Sequence, residues 1–224
     1  MQYMKLILVS AIAIFTMTGC STKGIQYSPN FNSINELKDN DLKKMDVKRS
    51  ILDKDQNEAI SLGRGTNKML SPYGGSFSKY LEIALEEELK QAAIYDNESN
   101  IKIKTKLLKN KLDTGMATGT ADLSADFKIL INDKEVFNRI YEVHHEWESS
   151  FAAATAVPVT IENYPIAMQK LIDKFLFDKD VIRIIKRWIM ITYPWSVLYF
   201  LHSHLLSVRI CTQIQLTKRY NKTE

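Results

Sequence analysis

Between Ile101 and Trp147 the chain alternates apolar and polar residues in three successive runs. Ile101, Ile103, Thr105 and Leu107 are separated by Lys102, Lys104 and Lys106. Ala121, Leu123, Ala125, Phe127, Ile129 and Ile131 are interleaved with Asp122, Ser124, Asp126 and Lys128. After the turn pair Asn132-Asp133, the residues Phe137, Arg139, Tyr141, Val143, His145 and Trp147 share one face, opposite Asn138, Ile140, Glu142, His144 and Glu146. Side chains on a strand point alternately to the two faces of a sheet. Period two therefore predicts an antiparallel sheet with one covered and one wet face. Such a face needs a cover, and the sequence must supply it.

Two helical patterns do so. From Ser76, a residue suited to an N-cap, Phe77, Leu81, Ala84, Leu85, Leu89, Ala92 and Ala93 recur at spacings of three and four. Glu82, Glu86, Glu87 and Lys90 are assigned to the opposite face. The helix is expected to run to about Tyr95 and stop at Asp96-Asn97. A second helix is expected to begin near Tyr164-Pro165, because proline suits a first turn. Its apolar face would be Met168, Leu171, Ile172 and Phe175. Residues 46–75 add one or two short strands and end in the breaker Ser71-Pro72-Tyr73-Gly74-Gly75. The expected fold class is α+β: a three- to four-stranded, largely antiparallel sheet with two helices packed on one face. Its core would join Leu123, Phe127, Ile129, Tyr141, Val143 and Trp147 to Leu81, Leu85, Leu89, Met168, Leu171 and Phe175.

The first twenty residues have a different logic. Lys5 and the amino terminus are positive, Leu6 to Phe15 is apolar, and Thr16-Met17-Thr18-Gly19-Cys20 follows. An apolar run of roughly ten residues is too short for a bilayer core that needs ~20 in a helix, but it suits a signal peptide. The Gly19-Cys20 junction resembles the lipobox of bacterial lipoproteins, with Met17 where leucine is commoner. The resemblance implies cleavage before Cys20, a lipid on its thiol, and attachment to a membrane through that lipid. Ser21 follows the cysteine, and the family's inner-membrane retention signal has Asp there. The resemblance thus implies the outer membrane, facing the periplasm, with the inner membrane as the alternative. The expected parts are a signal peptide (1–19), a lipidated cysteine with a flexible tether (20–45), an α+β periplasmic domain (46–178) and an apolar, basic tail (179–224). Lipidation of Cys20 leaves Cys211 alone and excludes an intramolecular disulfide.

The order of elements also resembles the YajG-type envelope lipoproteins over about residues 70–177. The shared features are the helix Phe77 to Tyr95, the alternating strands Ala121 to Trp147 around an Asn-containing turn, and the Phe151-Ala152 patch before a closing helix. That resemblance brings no catalytic motif with it.

Reactive constellations are sparse. His144 and His145 point to opposite faces of a strand, whereas His144 and Glu146 share one. A zinc site there would need a further ligand. Gly63-Arg64-Gly65 lacks the flanking strand, helix and further glycines of a phosphate loop and reads as a turn. Successive helical positions splay by about 100°, so Glu86, Glu87 and Glu88 read as a solvated face. His202 and His204 would share a strand face without a ligand-rich neighbourhood. No Gly-x-Ser-x-Gly elbow occurs. No cofactor is expected.

The net charge of +4 is unevenly spread, because residues 181–224 hold seven basic side chains against one acid, Glu224. The body therefore forms no basic stripe, and no nucleic-acid partner is expected. Trp188 to Leu206 lacks Lys, Arg, Asp and Glu and approaches the length of a membrane span. It reads as an inner-membrane anchor, an interfacial segment or an extension foreign to the domain. The functional expectation is a non-enzymatic binding or assembly module with an envelope-protein partner. The alternatives are an auxiliary subunit of an envelope transport or secretion system and a periplasmic metal-assisted enzyme.

Overall fold

The computed structural model describes residues 21–48, 59–65 and 67–187. The chain divides into two compact units, 1–182 and 183–224. Of the second, only 183–187 are described.

The first unit is α+β. Strands β1 (Ser21–Lys23), β2 (Asp46–Val47), β3 (Ile60–Ser61), β4 (Lys68–Leu70), β5 (Ile101–Asp113), β6 (Thr118–Ile131) and β7 (Lys134–Glu148) form two sheets. The helices are α1 (Phe31–Asp39), α2 (Phe77–Gln91), α3 (Ala153–Leu176) and α4 (Lys179–Arg187), the last crossing into the second unit. The larger sheet has the order β2-β5-β6-β7, antiparallel except for the parallel β2–β5 pair. Asn132 and Asp133 turn β6 into β7 with positive φ at both residues, the twist a tight hairpin requires.

Helices α2 and α3 cover one face of this sheet, and alternation selected the residues that meet them. Leu123, Phe127, Ile129, Tyr141, Val143 and Trp147 are buried, as are Leu81, Leu85, Leu89, Met168, Leu171 and Phe175. Phe127 stacks on Phe175 with centroids 4.5 Å apart and meets the edge of Tyr141 at 5.7 Å. Tyr164 sits edge-on to Phe77 and Tyr80 at 5.5 and 5.2 Å. Each such buried side chain contributes roughly 1.5–3 kcal/mol. The uncovered face carries Lys102, Lys104 and Lys106 on β5 and Glu142, His144 and Glu146 on β7.

Several expectations need correction. Residues 20–45 are not a flexible tether over their described part. Ser21–Lys23 is a strand, and α1 is capped by Asn30, whose side chain accepts from the Asn32 N–H. Tyr27, Ile34, Leu37, Leu42 and Met45 are buried. The polar composition concealed an amphipathic helix whose few apolar residues all face inward. Helix α2 stops at Gln91, short of Tyr95, with Ala93 at positive φ. Helix α3 starts at Ala153, well before Tyr164, and carries Pro158 and Pro165 inside it. The alanine-rich stretch supplies propensity enough to extend the helix, and packing holds it across both prolines. Nor does the fold end at Asp178. Asp180 pairs with Arg139 at 2.8 Å, and Val181 is fully buried. The expectations for 1–20, including the lipidation of Cys20, and for 188–206 fall outside the described residues. None of the described helices is long and apolar enough to cross a membrane.

Candidate functional site

Three side-chain groupings stand out. The first lies at the end of the molecule where the chain enters the fold. Strand β1 lies parallel to β4 with Ser21 opposite Lys68, and β3 runs antiparallel on the other side of β4. The Leu62 N–H donates to the Asn67 carbonyl at 3.1 Å, which closes the β3–β4 turn around Gly63-Arg64-Gly65. That tripeptide is a turn, as its sequence implied. Its arginine, however, is the hub of this end. Arg64 Nε donates to Thr114 Oγ1 at 3.1 Å, Nη1 to the Phe151 carbonyl at 2.5 Å, and Nη2 to the carbonyls of Ser150 (2.8 Å) and Gly115. One planar guanidinium thus joins the β3–β4 turn, the β5–β6 hairpin and the β7–α3 loop. Gly115 has φ of 55°, and a Cβ there would collide with the Thr118 carbonyl. Neither flanking glycine nor spacing signals the arginine's role, because its partners, three carbonyls and one hydroxyl, lie 50 to 87 residues away in sequence.

The second grouping is the histidine pair. His144 is exposed on the open face, with Nδ1 2.8 Å from Asp122 Oδ1 and Nε2 2.9 Å from Glu146 Oε1. Two carboxylates facing both ring nitrogens favour the imidazolium, so the Glu146 and Asp122 hydrogen bonds raise the His144 pKa. The same contact lowers that of Asp122. A ring with both nitrogens donating offers no lone pair to a metal. Among the described residues no three His, Cys, Asp or Glu side chains are grouped to hold a metal ion. His145 lies on the covered face. Lys170 Nζ donates to its Nδ1 at 2.8 Å, which places the ring proton on Nε2, 3.1 Å from Asn163 Oδ1. Burial, with the charge of Lys170, lowers its pKa. The strand geometry separates the two histidines as the sequence indicated. What the sequence did not show was Asp122, one strand away, as the second partner of His144.

The third grouping was misread in sequence. Glu88 is fully buried rather than solvated, and Glu82 is buried as well. Glu88 belongs to the stripe Leu81, Ala84, Leu85, Glu88, Ala92, and that spacing was the signal available. Its Oε1 accepts from Tyr27 Oη at 2.5 Å and from the Asn30 N–H at 3.0 Å. Burial raises the Glu88 pKa, the two hydrogen bonds oppose this, and Asp173 adds to it. Asp173 on α3 is raised by burial too, against hydrogen bonds from Ser33 and Asn30. These carboxyls clasp the 27–30 segment against α2 and α3.

The open face carries a depression lined by Lys104, Lys106, Asp126, Lys128 and Glu135 among others. Its lining mixes lysine and carboxylate charge with the Thr105 hydroxyl.

No family model matches the chain, and no curated protein does. Among solved structures it is similar to protein XCC0632 of Xanthomonas campestris, of family DUF330, at 14% identity and a TM-score of 0.48 over 70% of this chain and 95% of that one. A protein assigned as a lipoprotein, from Caulobacter crescentus CB15, has 13% identity and a TM-score of 0.40 over 69% and 96%. A minor lipoprotein of Acinetobacter baumannii has 12% identity and a TM-score of 0.32 over 65% and 92%. Likeness at this level carries no function across.

Proposed function

We propose that this chain is an envelope lipoprotein, held to a membrane through a lipid on Cys20, whose α+β domain is a non-enzymatic binding or assembly module in the periplasm. The observation that carries the reading is the linear order of a positive start at Lys5, the apolar run Leu6 to Phe15 and the Gly19-Cys20 junction, which is the order of a signal peptide followed by a lipid-accepting cysteine. The outer membrane follows from Ser21 by the sorting pattern already described. An envelope-protein partner is part of the same reading.

A second reading, an auxiliary subunit of an envelope transport or secretion assembly, draws on β7. This strand has fifteen residues and, among the described residues, borders only β6 in its sheet. A free strand edge can take up an extended segment of a partner.

The test of the anchor is Cys20→Ala in the full chain. It should abolish incorporation of radioactive fatty acid and leave the uncleaved precursor. A mature-sized, unlabelled band from this variant would refute the lipoprotein reading. Crosslinking in native envelopes then tests the binding role, and its failure to capture any discrete partner would count against an assembly module.

A further inference from the structure

We propose that the loop end pinned by Arg64 is a membrane-contacting tip, with Met116 and Phe151 seated in the lipid surface that holds the acyl chains of Cys20. This rests on the lipoprotein reading and goes beyond it, because it fixes which end of the domain meets the bilayer.

Two independent features meet at this end. The first is topological. Strand β1 is parallel to β4, with Ser21 opposite Lys68 and Lys23 opposite Leu70. Tracing the chain backwards from Ser21 therefore leads along β4 toward Asn67 and the Gly63-Arg64-Gly65 turn. Neighbouring strands lie about 4.8 Å apart, and consecutive Cα atoms about 3.8 Å. Ser21, to which Cys20 is bonded, thus lies at the end of β1 nearest that turn.

The second is chemical. Met116 is 70% exposed and Phe151 is 78% exposed, the former one residue from Gly115 and the latter itself an Arg64 partner. The carbonyls of Gly115 and Phe151 accept from one guanidinium, and the Ser149 N–H donates to the Ala117 carbonyl at 2.8 Å. The loops are therefore braced together, which is unusual support for two large apolar side chains left in water. Ala117, Ala152, Ala153 and Ala154 are exposed, and the stretches 114–121 and 149–161 carry no charged side chain. Asp113 turns its carboxylate back to accept the Gly115 N–H at 2.9 Å, and exposed Glu148, opposite Thr118, bounds the tip on the β7 side. Lys68, beside the exit point, is exposed and suits anionic headgroups. A single lipidated residue with a second contact holds to a surface far better than either alone. The geometry supplies that second contact at the point where the lipid emerges.

The test uses the full acylated chain with Cys211→Ser, reconstituted in vesicles of phosphatidylethanolamine and phosphatidylglycerol. Met116→Cys and Phe151→Cys each carry a polarity-sensitive fluorophore. Val136→Cys, just after the turn at the opposite end of β6 and β7, is the control. Emission at 116 and 151 should fall about two-fold when the lipids carry a quencher on their acyl chains, since interfacial groups reach roughly 5–10 Å into the headgroup boundary. Emission at 136 should not change. Mass spectrometry of the same sample reads acylation of Cys20. Acylated protein with quenching at 116 and 151 no greater than at 136 overturns the tip and leaves the lipoprotein reading intact. Unmodified Cys20 overturns both. Shielding of 116 and 151 by a second copy or an envelope protein, without quenching by lipid, also overturns the tip.

Discussion

Replacing Tyr27 by phenylalanine removes one oxygen and keeps the ring, so it isolates the clasp between the entry segment and the helices. Tyr27 is 8% exposed, and its ring meets Tyr80 edge-on at 6.2 Å, a contact phenylalanine keeps. What is lost is the 2.5 Å hydrogen bond to Glu88 Oε1. Among the described residues Glu88 Oε2 is buried without a hydrogen-bond partner, so the carboxylate would then keep the Asn30 N–H as its described donor. A hydrogen bond to a charged group contributes about 1.5–3 kcal/mol net. For a domain of this size that is a fall in Tm of roughly 3–10 °C. The loss should depend on pH. Burial holds the Glu88 pKa above the usual glutamate range. The folded chain therefore keeps a proton that the unfolded chain has released, and stability falls as pH rises through the raised value. The phenol donates best to the ionised carboxylate, so the gap between wild type and Tyr27→Phe should widen across the same rise. The assay is thermal unfolding of the full chain in detergent at several pH values, with hydrogen exchange of residues 27–37. A Tm within about 1 °C of wild type, with unchanged protection, would refute the claim that this segment is part of the fold.

Three further outcomes follow from the packing and charge pattern. Phe127→Ala, at a fully buried site stacked on Phe175, should cost about 3–5 kcal/mol in denaturant unfolding; a change within ~0.5 kcal/mol, the surface range, would mean the strand faces the other way. In an NMR titration His144 should lose its proton above the usual histidine value of 6.5 and His145 below it. Whatever stability the His144 contacts add is present at low pH and lost as pH rises through its folded value, and Asp122→Asn should move the His144 midpoint down; an unmoved midpoint would show that the pair is not formed in solution. A chain ending at residue 180 removes buried Val181 and should unfold at a lower temperature than one ending at residue 187; equal melting curves by circular dichroism would put the end of the fold back at Asp178.

The sequence by itself determined the sheet. Alternation is a local, repetitive pattern, and it named Phe127, Tyr141 and Trp147 as inward because strand side chains have only two directions to take. It also determined the two covering helices and the separation of His144 from His145. It gave the strongest pointer to location, since the Lys5, Leu6 to Phe15 and Gly19-Cys20 order is a linear signal read before folding. Only the tertiary structure decided the rest. Residues 21–45 look solvated by composition, yet Tyr27 and Leu37 are buried because α2 and α3 offer them a surface formed elsewhere in the chain. Glu88 resembles its neighbours Glu86 and Glu87, and only the packing of the 27–30 segment over α2 makes it a buried acceptor. Arg64 reads as a turn residue because the carbonyls it binds lie far along the chain. Composition reports what a residue prefers on average. Which groups meet Tyr27, Glu88 and Arg64 depends on long-range closure, and no local pattern encodes that.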